Sequence, residues 1–175
     1  MLQKAMQSII ESNQRTDDPP GSDGAPLLAT GPVVKEVSRR VFLGHGRASL
    51  WRELALFLQD RLKLPYEEFN RESPAGKSHK EHLLKMLSQA RFAFLIMTGE
   101  DEGADGSLHA RENVIHEAGL FQGRLGFEKA IILLEEGCRE FSNISGLGQI
   151  RFPRGEIKVR FEEIRHVLER EKLIR

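Results

Sequence analysis

The sequence predicts an α/β domain in which helices cover both faces of an open parallel sheet. Two apolar runs, FAFLIMT (92–98) and AIILLEE (130–136), do not alternate between apolar and polar residues. Such continuous runs are typical of parallel strands that are buried on both faces. Segments with helical periodicity lie between the strand-like runs. Strands that alternate with helices at this spacing favour right-handed crossovers and a doubly wound sheet of flavodoxin-like type.

Composition and charge indicate one globular domain. The chain has 175 residues, of which 39% are hydrophobic, which is enough apolar material for one core but not for two complete domains. Lys plus Arg and Asp plus Glu both number 26, so no net charge favours nucleic acid or an anionic membrane. The single cysteine excludes an internal disulfide, and neither a secretory signal nor an apolar run of about 20 residues is present. We therefore expect a soluble, cytoplasmic protein that binds neither nucleic acid nor membrane.

Residues 1–38 are expected to form an arm and linker, and residues 39–175 the globular domain. Leu2, Met6 and Ile9 have helical spacing. The segment that follows, TDDPPGSDGAPLLATGP, is rich in proline and glycine, which disfavours regular structure. We expect an amphipathic arm that is joined by a flexible linker and is able to contact a partner helix.

The first half of the globular part is predicted to contain two strand–helix pairs. VFLGHG (41–46) is a compact apolar run that ends in glycines, and residues 49–62 follow it with helical periodicity. A weaker strand at 65–69 precedes a helix at 79–90. The buried face of this second helix is predicted to carry Leu83, Leu84, Met86 and Leu87.

The second half continues the alternation. The strand at 92–98 is expected in the middle of the sheet because it is apolar throughout. A helix at 109–126 and the strand at 130–136 follow it. The chain then contains a short extended piece at 149–152 and a last helix, which is predicted to run through Phe161, Ile164 and Leu168 and to end at Glu171 at the latest.

One edge of this sheet is the expected ligand site. Ligands of open parallel sheets bind beyond the carboxyl ends of the strands. The loops at 44–49, 70–78 and 98–111 all fall on that edge. We therefore expect the functional residues in or beside these loops.

A carboxylate interrupts the apolar stripe of the helix HARENVIHEAGLFQGRLG (109–126). Val114, Ala118 and Phe121 form one stripe, and Glu117 borders it. No lysine or arginine lies three or four positions away, so an ion pair along the helix does not explain the residue. A partly desolvated carboxylate without a local cation is costly, and such groups are concentrated at functional sites. The alternative is an arginine from another element that pairs with Glu117.

Two further motifs on this edge have both a functional and a structural interpretation. Gly44 and Gly46 after the first strand either let a ligand approach the backbone or only form a tight turn. Acidic runs such as GEDEGADG (99–106) usually form solvated loops. Its position favours contact of Glu100 or Asp101 with a ribose, because a carboxylate accepts two hydrogen bonds from a diol.

The segment PAGKS does not complete a phosphate-binding loop. Arg71 stands where the signature requires a glycine. We interpret the segment as a glycine hinge that places Lys77 and Ser78 at a helix amino terminus, where free N–H groups are able to hold an anion.

Metal and thiol chemistry are disfavoured. His79 and His82 are three residues apart on a helix but lack a third ligand, so a solvated face is favoured over a metal site. Cys138 lacks a basic partner in the sequence and is interpreted as an inert thiol rather than a nucleophile.

Four motifs together resemble those of the bacterial TIR-like nucleotide-binding proteins. They are GHGR after the first strand, SPAGKS before the second helix, MTGEDEG after the central strand and ARENVIHEAGLFQGRLG. FSNISGLGQIRF (141–152) is similar to the closing segment of that family, and the resemblance covers about residues 40–172. It implies the flavodoxin-like fold of TIR domains. It also implies a branch whose members act as effectors of antiphage systems and often hydrolyse NAD+ when a cyclic nucleotide sensor triggers their assembly.

The resemblance implies that Glu117 is the catalytic residue, within a motif that Arg111, Asn113 and Gly119 also match. It implies NAD+ as the substrate with no cofactor or metal, self-association in the active state, and a cyclic nucleotide-responsive sensor domain or partner protein. Arg47 and Lys77 are expected to contact anionic groups. The expected substrate-binding residues are Gly44, His45, Gly46, Arg47, Gly76, Lys77, Ser78, Thr98, Asp101, Arg111 and Asn113.

Two residues depart from the family pattern. His116 precedes the glutamate where an aromatic or apolar residue is usual, and Gly99 replaces a common proline. The arm is too short for a folded sensor domain, so we expect either that the trigger lies elsewhere or that the chain is a piece of a larger protein. Three hypotheses remain open: a TIR-type NAD+ glycohydrolase, a catalytically silent nucleotide-binding or assembly module, and nucleoside N-glycosyl transfer by the same carboxylate.

Overall fold

The computed structural model describes residues 40–68, 79–141 and 148–175. The predicted arm at 1–38 and the residues Gly76, Lys77 and Ser78 lie outside the described residues, as do the side chains of His79 and His82. The elements are, in chain order, β1 (Val41–His45), α1 (Leu50–Leu56) with a π-helical continuation (Phe57–Arg61), β2 (Tyr66–Glu68), α2 (His79–Gln89), β3 (Phe92–Met97), β4 (Asp101–Glu102), β5 (Leu108–His109), α3 (Glu112–Leu125), β6 (Ala130–Glu135), β7 (Cys138–Arg139), β8 (Gln149–Phe152), a 3₁₀ turn (Ile157–Arg160) and α4 (Phe161–Arg170).

Five parallel strands form the main sheet in the order β2-β1-β3-β6-β8. When only these five strands are counted, the order is 2-1-3-4-5, which defines the flavodoxin-like arrangement. The central strand β3 is buried along its whole length, as its apolar sequence predicts. The structure therefore confirms the predicted fold class.

Each face of the sheet has its own apolar core. Alternate strand residues point to opposite faces, so Leu43 and Phe94 belong to the core under α1 and α4, whereas Phe42 and Leu95 belong to the core under α2 and α3. On the second face, Phe121 stacks on Phe42 with ring centroids 4.0 Å apart. This contact fixes α3 across the middle of the sheet.

One predicted detail of the helices is wrong. Leu84 is 54% exposed, whereas Met86 is buried and Leu83 and Leu87 are partly buried. Successive residues are about 100° apart around a helix, so Leu84 points about 100° away from the direction that Leu83, Met86 and Leu87 share. The helix α4 ends at Arg170 with Glu171 as its cap, which agrees with the predicted end of the last helix.

The loop predicted at 98–111 contains regular structure that the sequence did not indicate. β4 pairs antiparallel with β5, and β5 pairs parallel with β7 in a small three-stranded sheet. Each of these strands has only two residues, which is too short for an alternating pattern to be recognised. Within the described ranges, none of the helices has the length and apolar character needed to cross a membrane.

Candidate active site

Four glutamates are gathered at the carboxyl edge of the main sheet or beside it. Glu68 ends β2, Glu100 follows β3, Glu135 ends β6, and Glu117 reaches the sheet from α3. Glu68, Glu117 and Glu135 are each 8% exposed, and Glu100 is partly buried. Burial of several carboxylates is costly unless each one is hydrogen-bonded or held protonated, so their partners decide what each group does.

Glu117 differs from the other three because no hydrogen-bond or ion-pair partner is found for it among the residues that the structure describes. It faces the sheet with its neighbours Val114, Ala118 and Phe121, all of them buried. Its Oε2 atom is fully buried and makes no hydrogen bond, and no ion pair reaches the side chain within the described part of the chain. Burial therefore raises the pKa of Glu117 from 4.5 to about 8. The alternative of an arginine partner is not observed among the described residues.

Gly44 provides the space that Glu117 occupies. A Cβ atom on residue 44 would lie 2.6 Å from Glu117 Oε2 and 2.6 Å from Leu95 Cδ1, and both distances are shorter than a van der Waals contact. Gly44 pairs with Leu95 in the sheet, so the backbone there cannot easily move away. A side chain at this position would have to displace the ends of the Glu117 and Leu95 side chains, because the carboxylate of α3 lies directly against the β1 backbone.

Glu100 is held by the loop that follows β1. Its oxygens accept hydrogen bonds from the backbone N–H of Arg47 (2.7 Å), the backbone N–H of Ala48 (3.1 Å) and the hydroxyl of Thr98 (2.6 Å). Burial acts to raise the pKa of Glu100, but these hydrogen bonds and the charge of Arg111 outweigh it, and the pKa is lowered. Glu100 is therefore ionised and fully engaged at neutral pH.

Gly46 has a role parallel to that of Gly44. A side chain on Gly46 would overlap the carboxylate of Glu100. Gly44 within β1 and Gly46 in the loop that follows are thus both explained by a carboxylate that lies against the backbone. Neither a turn alone nor a ligand contact is required to account for them.

His45 lies on the opposite face of the sheet from Glu117. Its Nδ1 donates to the carbonyl of Gly46 (2.7 Å) and its Nε2 lies 2.8 Å from a carboxylate oxygen of Glu68. The ring also stacks on Trp51, with centroids 4.3 Å apart. These contacts connect the end of β1 to the end of β2 and to α1. The structure therefore gives His45 a structural role beside the site and does not bring it to Glu117.

Glu135 is a residue of this edge that the sequence analysis does not predict. It accepts hydrogen bonds from the backbone N–H of Gly99 (3.2 Å) and the backbone N–H of Gly155 (3.0 Å). It therefore ties the loop after β3 to the loop after β8. The available signal was an acidic residue at the end of an otherwise apolar strand, since a buried strand end is an unfavourable place for an unpaired charge.

The remaining expected binding residues lie at or near the rim of this edge. Arg111 caps the start of α3 and its guanidinium lies 3.5 Å from Asp101. Asn113 and Arg47 are exposed. Their positions leave them accessible to a ligand, whereas the hydroxyl of Thr98 already donates to Glu100.

His116 and Gly119 do not face this edge, whereas Cys138 lies near it, within range of the charges of Glu135 and Glu100. His116 is exposed on α3, and Gly119 is exposed with open space around it. Burial raises the pKa of the Cys138 thiol to about 11, with a further contribution from the charge of Glu135, which agrees with an inert thiol. Within the described ranges, no group of three or more potential metal ligands is found.

Comparison with known proteins identifies the family. Residues 40–154, about two thirds of the chain, match the family described as CAP12/Pycsar effector protein, TIR domain. The chain belongs to this family, which confirms the resemblance to bacterial TIR-type effectors of antiphage defence.

Several curated proteins are similar over the same region. CD-NTase-associated protein 12 of Flavobacterium daejeonense is 30% identical over 121 residues, which are 66% of this chain and 38% of the relative. The uncharacterized protein YuaY of Escherichia coli K12 is 27% identical over 121 residues, 66% of this chain and 40% of the relative. CD-NTase-associated protein 12 of Sphingobacterium faecium is 26% identical over 124 residues, 67% of this chain and 38% of the relative. The chain thus spans about two fifths of the length of these relatives.

Proposed function

We propose that this TIR domain is an NAD+ glycohydrolase and that Glu117 is its catalytic residue. The observation that carries the proposal is the state of Glu117: among the four glutamates of the carboxyl edge, it has a fully buried oxygen for which the described ranges 40–68, 79–141 and 148–175 offer no hydrogen-bond partner. Glu68, Glu100 and Glu135 each hold protein groups. A buried carboxylate that serves no structural contact and has a strongly raised pKa is characteristic of a functional site.

The chemistry of NAD+ cleavage needs one carboxylate. When the bond between the ribose C1′ and the nicotinamide nitrogen breaks, the electron pair moves to the pyridinium ring and nicotinamide leaves as a neutral molecule. Positive charge develops at C1′, and a fixed carboxylate stabilises it. Water then adds to C1′, which gives ADP-ribose and releases one proton. No second acid is needed because the leaving group requires no proton.

The raised pKa of Glu117 fits a resting site that ionises when substrate binds. In the free protein the carboxyl group is mostly protonated at neutral pH, because burial raises its pKa to about 8. The nicotinamide ring of NAD+ carries a positive charge, and a nearby cation favours the ionised form of a carboxyl group. Substrate binding therefore creates the carboxylate that the reaction uses.

The partners follow from the family and are also proposals. The chain spans about two fifths of its relatives, two of which are named CD-NTase-associated protein 12. We propose that a cyclic nucleotide-responsive sensor domain or partner protein brings copies of this domain together, and that self-association switches on cleavage. The exposed Arg47 and Asn113 and the partly exposed Arg111 are the proposed contacts for the substrate.

Release of nicotinamide tests the proposal. Concentrated purified protein is incubated with NAD+, alone and with a panel of cyclic nucleotides, and nicotinamide is quantified by chromatography. Glu117→Gln is compared with Glu112→Gln, which changes an exposed glutamate of the same helix. We expect the wild type and Glu112→Gln to release nicotinamide and Glu117→Gln to lose about 10²- to 10³-fold in rate, as when other preorganised electrostatic contacts are removed. Equal release by all three proteins contradicts the role of Glu117.

A further inference from the structure

The first loop of the domain contains an anion-binding arrangement that is already filled. The backbone N–H groups of Arg47 and Ala48 converge with the hydroxyl of Thr98 on the two oxygens of Glu100, at 2.7, 3.1 and 2.6 Å. Successive backbone N–H groups that point at one anion form a concave site of the kind that binds phosphate in other proteins. Here the anion is a side chain of the same chain, and we call these three donors the Glu100 cradle.

The backbone of the loop is shaped around this carboxylate. A side chain on Gly46 would overlap Glu100, so the glycine allows the loop to close over it. Burial acts to raise the pKa of Glu100, but the three hydrogen bonds of the cradle and the charge of Arg111 together lower it, so the cradle contributes to stabilising the charged form. The contact joins the loop after β1 to the loop after β3, which are far apart in the sequence but adjacent at the carboxyl edge.

A ligand phosphate would compete for the same donors. The N–H groups of Arg47 and Ala48 are the ones that a glycine loop after the first strand normally offers to a phosphate. Displacing Glu100 would leave a partly buried carboxylate without its partners and beside a second anion, which is unfavourable on both counts. The loop is therefore able to hold either its own carboxylate or a ligand phosphate, but not both.

We propose that Glu100 is a positioning residue that acts as a built-in anion: it fills the cradle, fixes the loop at 46–48 against the end of β3 and closes the cradle to ligand phosphates. The phosphates of a bound nucleotide are then contacted outside the cradle. This inference concerns the loop and does not depend on turnover of NAD+, so it stands or falls separately from the proposed glycohydrolase.

The proposal is tested by replacing Glu100 with alanine and measuring whether a small added carboxylate restores the stability of the folded protein. Glu100→Ala empties the cradle and leaves room for formate. Thermal unfolding is measured in formate and in chloride at equal ionic strength. We expect formate to raise the unfolding temperature of Glu100→Ala and to leave the wild type unchanged. The unfolding equilibrium constant of the variant should fall in proportion to 1 + [formate]/Kd, or about tenfold at nine times Kd.

A neighbouring acidic residue provides the matched control. Glu102→Ala removes an exposed glutamate two residues further along the chain. We expect this variant to unfold at the same temperature in formate and in chloride. If Glu100→Ala also shows no difference between the two salts, or if Glu102→Ala responds equally, the cradle does not act as an anion site and the proposal is wrong.

Amide NMR of the wild type tests the same proposal without any substitution. On acidification, we expect the amide resonances of Arg47 and Ala48 to shift together, with one midpoint below the ordinary glutamate value of 4.5, because both report the protonation of Glu100. At neutral pH, added inorganic phosphate should leave both resonances in place. Separate midpoints, or a saturable shift of these two amides with phosphate, would overturn the proposal even if Glu100→Ala fails to fold.

Discussion

The substitution Glu117→Gln should change how the free energy of unfolding depends on pH. Burial raises the pKa of Glu117 from 4.5 to about 8, so the folded protein keeps a proton that the unfolded chain releases. Because the unfolded state binds fewer protons in this range, stability falls as pH rises from 4.5 to 8. Each pH unit within the range costs about 1.4 kcal/mol. The wild type should therefore lose roughly 3 kcal/mol relative to Glu117→Gln between about pH 4 and pH 7.

Urea unfolding at a series of pH values measures this difference. The free energy of unfolding is compared for the wild type, Glu117→Gln and Glu112→Gln, whose substituted residue is exposed on the same helix. Replacing a carboxylic acid by an amide also changes the free energy of unfolding by an amount that does not depend on pH. This amount cancels because only the change of the free energy with pH is compared. We expect the Glu117→Gln curve to diverge upward from the wild type and the Glu112→Gln curve to stay nearly parallel to it. Parallel curves for Glu117→Gln would refute the argument that burial holds the proton on Glu117.

Three further outcomes follow from contacts at the same edge of the sheet. Gly44→Ala should destabilise the domain by about 1–3 kcal/mol through overpacking, whereas Gly123→Ala, which fills open space on α3, should stabilise it by roughly 0.5–1 kcal/mol; thermal unfolding of both variants decides this. Glu135→Gln should cost about 1–3 kcal/mol, because one of the backbone N–H groups of Gly99 and Gly155 then faces an amide donor. Hydrogen exchange at Gly99 or at Gly155 should accelerate, and unchanged exchange at both would exclude the loop tie. Alkylation of Cys138 should be about 100-fold slower in the native state than in denaturant, because burial raises the thiol pKa from 9.0 to about 11; equal rates would contradict this.

The fold could be predicted because its main strands are long and apolar. β3 and β6 are six residues each and buried throughout, so their sequences carry no alternation and indicate a covered parallel sheet. The small sheet of β4, β5 and β7 could not be predicted because two-residue strands carry no pattern. The exposure of Leu84 was missed because four apolar residues in a span of five fit more than one helix face.

A residue of the site could be predicted where its neighbours along the chain determine its surroundings. Glu117 stood out because its helix neighbours show which face is buried, and because no cation lies within one turn. The roles of Gly44 and Gly46 could not be derived in the same way, since the carboxylates that they accommodate come from residues more than 50 positions away along the chain. Glu135 was missed for the same reason: its partners are backbone amides of two distant loops.

Direct titration of Glu117 tests the central claim most closely. Carboxyl ¹³C resonances of labelled glutamate are followed with pH in the wild type and in Glu117→Gln, and the resonance missing from the variant is assigned to Glu117. We predict a midpoint near 8 in the free protein, and a lower midpoint when a carbocyclic NAD+ analogue, which keeps the pyridinium charge but resists cleavage, is bound at saturation. A midpoint near the ordinary value of 4.5 in the free protein, or one that the bound analogue leaves unchanged, would contradict the account.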